Sequence, residues 1–197
     1  MVMLAGALLA LAVMCRPPTV IFAGLFALYV VRRHRRQVLA SLPLPLALAG
    51  LLLAYNLYYF ATPSGGYTGA QLGFVFSWAQ VSIALPGLLV SPNRGLLVFS
   101  PVVLPAFAGI AAAFRIRGEP MLGYLGLGVM LTIAFYACYA DWDGGFSYSY
   151  RLLVDLLPAL ALLAAPTWAW LSGRRWRRWA IGGVAAFSIG IQVVGAF

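Results

Sequence analysis

Charge is what this sequence has least of. Only 9% of its 197 residues are charged, against about 25% in an ordinary soluble domain, which excludes a water-soluble globule with a polar shell. Lysine is missing altogether, so no Walker loop can be assembled. Acid is almost as scarce: Asp141, Asp143, Asp155 and Glu119 face 13 arginines, for a formal net charge of +9. The one histidine, His34, sits inside an arginine cluster, which excludes a His-based metal cluster and leaves no imidazole elsewhere for a hydrolytic triad. Cys15 and Cys138 both lie in apolar runs and fit neither a zinc spacing nor a disulfide framework.

What is present is apolar surface. Hydrophobic residues make up 63% of the chain and the mean hydropathy is +0.95, more than one compact core can hide, so the solvent is a bilayer. A spanning helix needs about 20 mainly apolar residues, and 38 to 56, 96 to 114, 121 to 140, 152 to 171 and 180 to 197 supply them. Residues 1 to 31 are cut by Arg16-Pro17-Pro18 into two short helices, because a single kinked span would leave Arg16 near mid-membrane at about 2.5 to 3.5 kcal/mol. Met1 to Cys15 lacks the basic flank of a signal peptide and is read as a helix. The segment 70 to 92 is apolar, but Gln71, Ser77, Gln80, Ser82 and Pro86 interrupt it, which suits an interfacial or re-entrant helix. The expectation is an all-α, polytopic transmembrane bundle of about seven helices forming a single domain over 1–197.

Ten of the 13 arginines fall in alternate loops, at 32 to 36, 115 to 117 and 174 to 178. The positive-inside rule makes those loops cytoplasmic and puts 57–95 and 141–151 outside. Trp168, Trp170, Trp176 and Trp179 flank the last basic block as an interfacial belt does. The arginine blocks are therefore topology signals, and no nucleic-acid partner is expected.

The remaining ionisable residues collect on the outer side: Arg16, Arg94, Arg151, Asp141, Asp143 and Asp155. Such groups at membrane depth are costly and mark pairs or cavities. Ser91-Pro92-Asn93-Arg94-Gly95 reads as a turn opening into a helix from Leu96, where free N–H groups, the positive helix end and a guanidinium suit a phosphate. The plainer reading of Arg94 is snorkelling to lipid headgroups. The stretch from Asp141 to Arg151 packs two carboxylates, a glycine pair and the aromatics Trp142, Phe146, Tyr148 and Tyr150 between helices. It can stack on a sugar ring, or it is an interfacial belt with an Asx-turn. Asp141 and Asp143 open like a calcium loop whose remainder is missing, so a divalent cation is the one cofactor they suggest. Arg151 and Asp155, four apart, are expected on one helix face as a pair. Tyr55, Asn56 and Tyr67 surround the Pro63-Ser64-Gly65-Gly66 turn as further pocket candidates. That turn is similar to the Pro-Ser-Gly-His of lipid-phosphate phosphatases, but Gly66 stands where the essential histidine belongs, which excludes that chemistry.

Taken together, Arg16-Pro17, Tyr55-Asn56 with Thr62-Pro63, Ser91-Pro92-Asn93-Arg94-Gly95-Leu96 with Ser100-Pro101, and Trp142-Asp143-Gly144-Gly145 with Arg151 resemble the bacterial GT-C superfamily of membrane glycosyltransferases. The similarity is to the C-terminal half of mannosyltransferase-like, family-39-related proteins. It implies transfer of a sugar from a polyprenyl-phosphate carrier at the outer face of the bacterial inner membrane. Arg94 and Arg151, with Arg16, Asn93 and Gly95, would hold the lipid phosphate, and Asp155 would support Arg151. Asp141, Trp142, Asp143, Tyr148, Tyr55, Asn56 and Tyr67 would contact sugar or acceptor. The partners implied are membrane lipids and the polyprenyl-phosphate-linked sugar. The family's catalytic carboxylate lies in the first outer loop, and the residues before Arg16 carry no acid. The chain is accordingly expected to be the donor-binding part of a larger protein. The other class is a non-enzymatic membrane protein, a transporter or flippase for an anionic lipid or a structural partner.

Overall fold

The structure is a computed structural model that describes residues 2–65, 73–115, 120–145 and 149–196. Among them the regular structure is helical, with one isolated antiparallel bridge between Phe74 and Tyr139. The chain divides into two compact units, residues 1–73 and 74–197.

In the first unit, α1 (Val2–Cys15) and α2 (Val20–Arg33) are separated by a 3-10 turn at Pro17–Thr19. The break has a direct cause. Pro17 and Pro18 offer no N–H, and the Arg16 carbonyl is taken by the Thr19 N–H (3.0 Å) and hydroxyl (2.8 Å). The two short helices expected at a proline break are thus present, and α1 packs on both α2 and a later helix of the unit. After the short α3 (Val38–Ser41), that helix, α4 (Pro43–Phe60), is displaced toward the C-terminus from the expected 38 to 56. Pro43 supplies a preset first-turn residue, and the helix ends where Ala61 adopts a left-handed φ of 54° and returns its N–H to Leu57. None of the residues of α4 is buried.

The second unit begins with an extended stretch, in which the Val75 N–H donates to the Cys138 carbonyl (2.8 Å). It leads into α5 (Trp78–Val90). Ser77 caps this helix, its hydroxyl accepting from the Gln80 N–H at 3.1 Å. At 13 residues it is about 20 Å long, short of a hydrocarbon core of about 30 Å. Its N-terminal turn meets Tyr139, through the Gln80 amide to the Tyr139 carbonyl (3.1 Å), and its C-terminal half meets Trp142, whose ring crowds Gly87. Both ends of α5 therefore rest on the loop after a single helix, α8 (Pro120–Ala137).

The stretch 96 to 114 does not form one helix. It consists of α6 (Leu96–Phe99), a 3-10 turn at Pro101–Val103 and α7 (Leu104–Arg115). Ser100 precedes a proline and leaves the helical region, at φ −141° and ψ 65°. The last part of the unit opens with a 3-10 segment, Arg151–Leu156, that runs into α9 (Leu157–Leu171), followed by α10 (Arg175–Ala196). The core lies where α7, α8 and α9 meet, around Val129, Thr132, Leu153, Leu156, Leu160 and Leu163. Gly109 brings α7 against the Leu163 carbonyl of α9 so closely that a Cβ would overlap it, the small-residue contact by which helices associate in lipid.

Three helical segments among the described residues are long and apolar enough to cross a membrane: Pro43–Phe60, Pro120–Ala137 and Arg151–Ala169.

Candidate functional site

The second unit gathers two of the segments singled out above. The turn from Ser91 is closed by its own carbonyl, which accepts from the N–H groups of Arg94 (3.3 Å) and Gly95 (2.7 Å). Gly95 is buried, and a Cβ there would stand 2.6 Å from the Ser91 backbone, so only glycine fits the turn. The Asn93 N–H turns to the Ser91 hydroxyl at 3.4 Å. These contacts change the chemistry expected of the turn. The N–H groups of residues 93 to 95 already have acceptors, and α6 is four residues long, too few to align a useful dipole. Any affinity of this turn for an anion rests on the Arg94 guanidinium.

That guanidinium reaches the loop after α8. Arg94 Nη1 lies 3.3 Å from Asp143 Oδ2, with the two side chains 26% and 50% exposed. Nη1 itself is buried and makes no hydrogen bond, so the contact is an ion pair outside hydrogen-bond geometry. The other oxygen of Asp143 accepts from the Gly145 N–H at 3.3 Å. This is an Asx-turn, one of the two readings open for the loop, and it explains the glycine pair: Gly144 and Gly145 have φ of 71° and 65°, a conformation that side chains resist. Trp142, between the two acids, turns inward onto Gly87 of α5. Asp141 is exposed, and its backbone carbonyl accepts from Gly144 at 2.9 Å. Both Asp143 oxygens are engaged, and among the described residues no group of three or more His, Cys, Asp or Glu comes together.

Arg151 is exposed, and it opens the 3-10 segment that contains Asp155. A 3-10 helix turns about 120° per residue, so positions four apart do not share a face there. The α-helical spacing from which their pairing was expected therefore does not apply here, and both residues make interactions. Immediately before Arg151 lies a polar network that sequence reasoning did not single out. Tyr150 Oη and Ser100 Oγ are 2.6 Å apart, and the Gln192 amide of α10 donates to Tyr150 Oη (3.2 Å) and Ser149 Oγ (3.3 Å). Tyr150 and Ser100 are 7% and 5% exposed. The available signal was Gln192, a lone amide in the apolar C-terminal half of α10, where a polar side chain must find partners.

The first unit holds Arg16, Tyr55 and Asn56. Arg16 is half-buried at the α1–α2 break. Asn56 donates to the Pro63 carbonyl (2.9 Å) and stands over Gly65, which has φ 68°, so it closes its own turn. Tyr55 packs against Tyr59, with ring centroids 4.7 Å apart and planes tilted by 43°, in an exposed cluster with Tyr58 and Phe60. Tyr67 and Tyr148 lie outside the described residues.

No protein-family model, curated protein or solved structure matches this chain.

Proposed function

We propose that this chain is a polytopic membrane protein of about seven helices, and that it forms the donor-binding half of a GT-C-type glycosyltransferase using a polyprenyl-phosphate-linked sugar. In this reading the loops 57–95 and 141–151 face outward, and the arginine blocks face the cytoplasm of a bacterial cell. The observation that carries it is the meeting of the two segments on which the resemblance rests. Arg94 of the Ser-Pro-Asn-Arg-Gly turn is held by Asp143 of the Trp-Asp-Gly-Gly loop, and its buried Nη1 retains unspent hydrogen-bonding capacity. An unmet buried donor costs about 1 to 3 kcal/mol, a cost that a phosphate oxygen would relieve.

Arg94 and Arg151 bind the lipid phosphate in this scheme. Asp143 becomes a positioning residue for Arg94 rather than a sugar ligand, leaving Asp141 and Tyr148 to meet sugar or acceptor. The acid or base for transfer is not assigned to any residue of this chain.

The test is transfer of labelled sugar from polyprenyl phosphate by membranes containing the complete gene product. Loss of transfer in both Arg94→Ala and Arg151→Ala supports the assignment, and full transfer in both rejects it. Translocation of a fluorescent lipid phosphate without any sugar transfer would instead identify an anionic-lipid transporter.

A further inference from the structure

A second feature of the 74–197 unit has no part in that reading. Between α10, the end of α9 and the 101–105 break runs a groove of about 300 Å³, with walls that include Pro105, Trp168, Ala180 and Val184. Its lining is almost wholly apolar, and the exception is at one end, where Trp176 and Arg177 stand with the guanidinium carbon 5.4 Å from the indole centroid. From Arg177 to Val184 the helix rises about 10 Å. The groove therefore leads from a charged mouth along α10 into apolar surroundings. Near its deep end Ser188 accepts from the Val102 N–H (3.3 Å) and donates to the Val184 carbonyl (2.9 Å), which satisfies the freed backbone at the break without adding polar lining.

Arg174, Arg175 and Arg178, all within three residues of Arg177, are exposed, as are the Trp176 and Trp179 rings. No acidic residue lies between Asp155 and the C-terminal Phe197, so nothing on α9 or α10 offsets this positive field. The volume corresponds to roughly ten liquid water molecules, room for a length of acyl chain and too small for a helix. Charge at the mouth, aromatics at headgroup level and an apolar trench behind them select one kind of occupant.

We propose that this groove is a binding site for an anionic glycerophospholipid, with the phosphate at the 174–178 arginines and one acyl chain along α10. Four arginines near the headgroup favour an anionic over a zwitterionic lipid even with strong mutual screening.

The experiment uses the full chain in phosphatidylcholine nanodiscs, where both leaflets are alike and the direction of insertion is immaterial. Diazirine-acyl phosphatidylglycerol or diazirine-acyl phosphatidylcholine is added at equal amounts, and adducts are mapped by peptide. The expected result is several-fold more phosphatidylglycerol adduct in 101–105 and 168–184, falling to the phosphatidylcholine level when Arg174, Arg175, Arg177 and Arg178 are all changed to Gln. Ala180→Trp, which keeps every charge and fills the trench, should remove adducts from 101–105. Equal labelling by the two lipids overturns the proposal, as does undiminished labelling in Ala180→Trp.

Discussion

The indole of Trp142 fills the space in front of Gly87, so that a Cβ at position 87 would overlap the far edge of the ring. The two residues lie 55 positions apart and join the loop after α8 to the C-terminal half of α5. The contact sets up two opposing effects. Alanine is worth about 1 kcal/mol over glycine inside a helix, whereas overpacking costs about 1 to 3 kcal/mol. Gly87→Ala should therefore lower the thermal midpoint of the detergent-solubilised protein, and the same substitution made in a Trp142→Ala background should raise it. A melt in which Gly87→Ala has the same sign in both backgrounds would disprove the contact.

Arg94 and Asp143 call for a double-mutant cycle. Half of the Asp143 side chain is exposed, so the stability coupling between Arg94→Gln and Asp143→Asn should be small, about 0.2 to 1 kcal/mol, and should shrink further in high salt. The functional coupling should be larger. If Asp143 acts only by orienting Arg94, Asp143→Asn reduces sugar transfer, and the double variant is no worse than Arg94→Gln alone. Multiplying losses in the double variant would show that Asp143 meets the substrate independently.

The helical class and the proline breaks were legible because they depend on local composition: apolar runs, Pro17-Pro18 and the short, polar-interrupted segment that became α5. The break at Ser100-Pro101 could also have been read locally, since the residue before proline resists the helical region, yet 96 to 114 counts as one stretch on hydropathy alone. The 3-10 geometry at Arg151–Leu156 has no comparable signal, so the α-helical spacing from which Arg151 and Asp155 were paired does not describe that segment. At the site, the sequence marked Arg94, Trp142 and Asp143 as chemically notable without saying that Arg94 meets Asp143 or that Trp142 meets Gly87. Such contacts depend on helix packing between segments about 50 residues apart, which periodicity does not encode. The glycines illustrate the same limit. Gly144-Gly145 reads as a turn and is one, while nothing nearby distinguishes Gly109, which lies against another helix, from Gly182, which faces open space.

The network around Tyr150 predicts a cost for losing a single oxygen. Tyr150→Phe removes the partner of Ser100 Oγ at 2.6 Å and an acceptor of Gln192 at 3.2 Å. Leaving a buried polar group unmet costs about 1 to 3 kcal/mol, so Tyr150→Phe should be destabilising by that order. Ser100→Ala combined with Tyr150→Phe should cost less than the sum of the two, because the double change removes both ends of one hydrogen bond. Additive losses in thermal unfolding would count against the network.

Gly109 of α7 and Gly182, Gly183 and Gly190 of α10 look alike in sequence but differ in surroundings. At Gly109 the obstacle to a Cβ is the Leu163 backbone carbonyl, which cannot rotate away as a side chain can. Relief requires α7 and α9 to move apart, with loss of the packing contacts that hold helices together in lipid. Gly109→Ala should therefore destabilise by about 3 kcal/mol, the upper end of the usual overpacking range, and lower the yield of folded protein. Gly182, Gly183 and Gly190 on α10 have nothing within 4 Å of a built Cβ, so alanine there should be neutral or stabilising by up to about 1 kcal/mol each. The measurement is a parallel set of thermal melts on the four single variants. Comparable losses at Gly109 and Gly182 would mean that α10 packs as tightly as α7, and the open groove beside it would then have to be abandoned.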